Sequence, residues 1–203
     1  MTDRTVEDWL ADLKVTLIAE TDPGKLERLA AALIGKMVGV QITVARSGFQ
    51  FGGDAGASGR QGRRLRLEAK RYLESTRHND RELLGELDQA LAVDPALEAW
   101  LLVTTRSVVE QTELQLSRKG EEIGVPVIFL DWKDDAPIPM LAALCAFDPG
   151  IVGELFSPAA EAASRALEAA AVPAIAALRR DIEAWNLGFA GLRSAASAAL
   201  NDI

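Results

Sequence analysis

With 203 residues, 49% of them apolar and 26% charged, the chain has material for one ordinary domain plus an appendage, or for two small domains. A single histidine and a single cysteine exclude the usual zinc sites and an internal disulfide, and no apolar run approaches the ~20 residues of a membrane-spanning helix. The net charge of −8 argues against a protein that coats nucleic acid.

Residues 5–20 carry Val6, Trp9, Leu10, Leu13, Val15, Leu17 and Ile18 at helical spacing, which predicts a first helix. Asp22 and Pro23 suit the start of a second, KLERLAAALIGKMVGV, which places Leu26, Leu29, Ala30, Leu33, Ile34 and Met37 on one face, with Gly39 near its end. Gln41–Ala45 alternates with β-branched residues and reads as a strand. The glycine-rich segment SGFQFGGDAGASGRQG contains turns, and LRLEAKRY (65–72) alternates strictly as a strand. A helix over 80–92 starting at Asp80, a buried strand over 99–105, a helix over 107–124 ending at Gly124 and a short strand over 125–132 follow. After Asp135-Ala136-Pro137 the chain turns alanine-rich, with helices expected over 138–146, 150–170 and 173–201, interrupted at Pro158 and Pro173. The expected organisation is an α/β domain, a mixed β-sheet flanked by helices over residues 1–136, followed by an α-helical appendage or connector over 137–203.

Elimination narrows the chemistry. A Ser-His-Asp or Cys-His relay needs His78, which sits in the polar stretch STRHND, and neither a GxxxxGK[ST] nor a GxGxxG phosphate loop occurs. What remains is carboxylates, lysine and a hard cation. In an extended LRLEAKRY, Glu68 and Lys70 point to one side, while Leu65, Leu67 and Ala69 point to the other. Fourteen positions before Glu68 lies Asp54, behind Gly52-Gly53, where the backbone can bend. Pairing of residues 53–59 with 65–70 would let Asp54 and Glu68 converge on one Mg²⁺ or Mn²⁺, with Lys70 beside it orienting water and offsetting charge. Between Arg60 and Arg81, eight basic residues against three acidic ones make a phosphate-facing patch. Gln111, Thr104, Thr105 and Arg106 are secondary candidates; Trp100 and Trp132 read more simply as core aromatics.

The pattern GGD (52–54), then LEAK (67–70), then strand, helix, strand resembles the PD-(D/E)XK, or restriction-endonuclease-like, nuclease superfamily. It is most similar to the Mrr-type nuclease domains at the N-terminus of bacterial anti-phage NTPases. The resemblance spans roughly residues 25–131, and Gly53 stands where the family name has proline. It implies a restriction-endonuclease-like fold, Asp54 and Glu68 as metal ligands, Lys70 as the catalytic lysine, and a metal contact from the Ala69 carbonyl. It also implies support from Glu27 on the first core helix. The function so expected is a Mg²⁺- or Mn²⁺-dependent DNA endonuclease, a cytoplasmic effector of anti-phage defence, with DNA as partner, no membrane, and a sensor NTPase in a longer protein. The alternative is a catalytically inactive module of the same fold, serving homo-oligomerisation or nucleic-acid binding.

Overall fold

The computed structural model describes residues 4–22, 24–39, 41–44, 55–57, 64–73 and 80–201, the side chains of 55–57, 80 and 182–201 excepted. Helix α1 (Val6–Ala19) begins with a reciprocal cap: the Asp8 amide donates to the Thr5 hydroxyl, and the Thr5 amide donates to the Asp8 carboxylate at 2.9 Å. Its Leu13 and Leu17 are buried. Helix α2 (Gly24–Val38) starts where Asp22 accepts from the Gly24 amide and ends at Gly39, whose φ of +69° only glycine adopts freely. Of the apolar stripe expected from its sequence, Leu26, Leu29, Ala30, Leu33 and Ile34 are buried and Met37 is partly buried.

Strands β1 (Thr43–Val44), β2 (Ala55–Ala57) and β3 (Leu65–Lys70) form an antiparallel meander. Helix α3 (Asp80–Val93) then crosses over to β4 (Ala99–Thr104), which lies parallel to β3. Helix α4 (Glu110–Ile123) leads to β5 (Val127–Leu130), parallel to β4. Among the described residues the sheet therefore runs β1-β2-β3-β4-β5, and the chain is a mixed α/β protein. Both edge strands are shorter than their sequence patterns, and β5 is only partly buried because nothing pairs with its outer side among the described residues. Helix α4 stops at Gly124, left-handed at φ +72°, whose amide returns to the Glu121 and Gly120 carbonyls.

Alternation along the strands divides the core into two. Leu65, Leu67, Ala99, Leu101, Val103 and Leu130 face α1 and α2 in the larger cluster. Trp100 and Leu102 face the other way, joining Leu83, Leu87 and Ala90 of α3 and Leu116 of α4. Burial of each such leucine is worth ~2 kcal/mol, so the face on which a strand residue lies decides its role.

The chain after residue 137 does not stand apart from this body. Helices α5 (Met140–Phe147), α6 (Pro149–Leu155) and α7 (Pro158–Asn201) follow, and Leu141, Leu144, Val152, Leu167 and Leu178 belong to the same cluster as α1, α2 and the sheet. The interruption expected at Pro173 is not there. Helix α7 runs through it, with Pro173 on an exposed face amid small residues; only Pro158, at the first helical position, marks a boundary. Cys145 is fully buried, and burial pushes its thiol up to about 12, which removes it as a nucleophile. Among the described residues no helix is long and apolar enough to cross a membrane.

Candidate functional site

The alternation of β3 sends Arg66, Glu68 and Lys70 to the α3 side of the sheet. In register with β4, Glu68 lies beside Leu102 and Lys70 beside Thr104, both fully buried. Glu68 is consequently taken almost wholly out of water, with 3% of its surface exposed. Burying a carboxylate costs several kcal/mol unless a countercharge meets it. Lys70 meets it, its Nζ standing 2.7 Å from Glu68 Oε1.

Lys70 has two further partners. Helix α3, held to the sheet by Leu83 and Leu87, presents Glu82 and Glu86 one turn apart, with Oε1 atoms 3.1 and 3.3 Å from the ammonium. Burial opposes the charge on Lys70, but the hydrogen bonds and charges of Glu68, Glu82 and Glu86 outweigh it and hold the lysine's pKa well above its ordinary value. The lysine is an ammonium at any physiological pH. Three carboxylates thus converge on one ammonium.

Sequence reasoning paired Glu68 and Lys70, and the two are in contact. Asp54 lies outside the described residues, as do His78, Arg60, Arg63 and Arg77. Its neighbour Ala55 pairs with Leu67, so β2 runs alongside the strand that carries Glu68. Ala69 pairs with Val103 between the two charged residues. Glu27 is 7% exposed on α2, in the helix layer across the sheet from α3. Glu82 and Glu86 were not foreseen. Their spacing of four on an amphipathic helix was the one available signal, and it is shared by most solvated helix faces.

The sequence matches no protein-family model and no curated protein.

Of the arginines counted toward a basic patch, Arg64 binds Asp94 at 2.6 Å, and Arg71 donates to the Ile18 carbonyl at 2.9 Å. Part of that charge is thus committed internally. Thr105 ties the end of β4 to the segment after β3, donating to the Tyr72 carbonyl and accepting from its amide. Thr104 accepts from the Arg106 amide, Gln111 is exposed on α4, and Trp100 and Trp132 are core residues. A cleft of about 640 Å³ lies between the first turns of α4 and the segment after β5, bordered by Ser107, Glu113, Lys133 and Asp135; neither Glu68 nor Lys70 lines it.

Among the described residues no group of three or more His, Cys, Asp or Glu side chains is arranged to hold a metal ion. The donor chemistry nevertheless suits one. Carboxylate oxygens such as those of Glu68 are hard donors, of the kind that favour Mg²⁺ or Mn²⁺ over softer ions.

Proposed function

We propose that the chain is a Mg²⁺- or Mn²⁺-dependent DNA endonuclease of the restriction-endonuclease-like fold, with Asp54, Glu68 and Lys70 as its catalytic residues. The observation that carries this reading is the buried Glu68 with the Lys70 ammonium 2.7 Å away, on one face of a strand flanked by an antiparallel and a parallel neighbour. A further support is the element order: after the strand that carries LEAK come the strand, helix and strand (β4, α4, β5) on which the nuclease resemblance rests.

In this reading Asp54, Glu68 and the Ala69 carbonyl hold the cation; Glu27, on α2 across the sheet from α3, is not assigned a part in it. Bound there, the ion would make an attacking water more acidic and offset charge on the phosphoryl oxygens. Lys70, kept protonated by its carboxylates, orients that water and stabilises the developing charge; it does not act as the base. The resemblance adds the biological setting, an anti-phage effector attached to a sensor NTPase.

Incubating the protein with supercoiled plasmid and Mn²⁺, beside Asp54→Asn and Lys70→Ala, tests this. Nicking by the parent protein and its loss in both variants is the expected result, together with Mn²⁺ binding weakened by Asp54→Asn in calorimetry. Equal cutting in all three, or neither cutting nor ion binding in the parent, would refute the assignment.

The 44-residue α7 favours a second reading, a non-catalytic module of the same fold that serves assembly or nucleic-acid binding. Its signatures are a concentration-dependent mass in solution, or salt-sensitive DNA binding unchanged by Asp54→Asn.

A further inference from the structure

We propose that Glu82 and Glu86 of α3 are positioning residues for Lys70, keeping its ammonium at the site when the Glu68 carboxylate turns to a divalent cation. The inference rests on the nuclease reading above.

The problem they solve is electrostatic. Glu68 is the nearest countercharge to Lys70, at 2.7 Å, and it is also the residue a divalent ion would claim. A cation arriving at Glu68 takes the lysine's partner and repels the lysine itself, since like charges a few ångströms apart in a partly desolvated site interact strongly. With Glu68 as sole anchor, the flexible four-carbon stem would swing the ammonium out to water.

Helix α3 prevents this. Glu82 and Glu86 lie one turn apart beside the Leu83–Leu87 stripe that packs onto Trp100 and Leu102, so the helix is fixed against the sheet and its two carboxylates are fixed over Lys70. Their contacts come from the side away from the strand, so they remain when Glu68 reorients. The three carboxylates match in number the three protons of an ammonium, which defines its direction as well as its place. Glu86 has the more sheltered side chain, 22% exposed against 47% for Glu82, and water screens it less. It therefore carries the larger share.

The test compares the parent chain with Glu86→Gln and with Glu82→Gln/Glu86→Gln, each with its melting temperature confirmed. The first readout is the NMR signal of the Lys70 ammonium protons, visible only while a lysine is held in a lasting contact, recorded before and after Mg²⁺. The second is plasmid nicking resolved into kcat and KM. Expected are a signal that survives Mg²⁺ in the parent and vanishes with Mg²⁺ in the double variant, and kcat lowered ~10–100-fold at unchanged KM, the scale for groups that orient a reacting residue. Glu86→Gln alone gives most of that loss. A double variant retaining both the signal and kcat overturns the positioning role and leaves the nuclease reading standing. A parent chain that neither cuts nor shifts its Lys70 signal with Mg²⁺ overturns the two together.

Discussion

Replacing Lys70 by methionine leaves the stem's volume in place and deletes only the charge. The cost follows from what is left behind: the side chain of Glu68, 4% exposed, loses the ammonium that stands 2.7 Å from its Oε1. Stripping one partner from a buried pair costs about 3–5 kcal/mol. The half-exposed Glu82 adds under ~1 kcal/mol, and the Lys70 side chain is itself 20% exposed, so the lower end applies, about 3 kcal/mol. In a chain of this size that lowers the melting temperature by roughly 6–12 °C. Urea titration followed by tryptophan fluorescence measures it, with the buried Trp100 reporting the sheet. The effect also has a pH signature. The pKa of Lys70 is raised on folding, so its contribution is complete below the ordinary lysine value and is lost only as pH climbs through the folded one. Between pH 5 and 9 the parent protein shows no change from this residue. Glu68→Gln/Lys70→Met, which removes both charges of the pair, recovers more than half of the deficit at neutral pH. No recovery in the double variant would sink the reasoning.

Two further expectations concern stability alone. Asp131 is buried after β5 and accepts from the Val108 amide at 2.9 Å; burial raises its pKa, so it stabilises the fold best when protonated, and that contribution fades as pH rises above the ordinary carboxylate value. Asp131→Asn, which can still accept that hydrogen bond, should be neutral or stabilising at pH 7, whereas Asp131→Ala should cost about 1–3 kcal/mol in chemical denaturation. Pro173→Ala restores a donor inside α7 and should raise stability by about 1–3 kcal/mol; a lower melting temperature would show that the helix depends on its proline.

The helices and β3 were legible because each states its period in apolar side chains: Leu13 and Leu17 in α1, Leu26, Leu29 and Leu33 in α2, Leu65 and Leu67 alternating in β3. Strand β2 was far less so. Ala55, Gly56 and Ala57 carry no alternating signal, and only pairing with Leu65–Leu67 makes them a strand. Pro173 misled because helix-breaking rules describe an isolated helix, whereas α7 is held on either side of the proline by Leu167 and Leu178 in the shared core. Glu68 and Lys70 were foreseen from spacing two in a strand, a local property. Glu82 and Glu86 reach Lys70 across twelve and sixteen residues of chain, a contact fixed by how α3 lies on the sheet and by nothing in their immediate sequence.

The two helix layers are unequal. The layer containing α1, α2, α5, α6 and α7 shares a large apolar cluster with one side of the sheet, while α3 and α4 cover the other through a much smaller one. Amide protons in α3 should therefore exchange with solvent sooner than those of α2 or α5, since less buried surface must be exposed to free them. Glu82 and Glu86 are carried by the layer with the smaller apolar backing, and it is the packing of Leu83 and Leu87 with Trp100 and Leu102 that keeps them in register with Lys70.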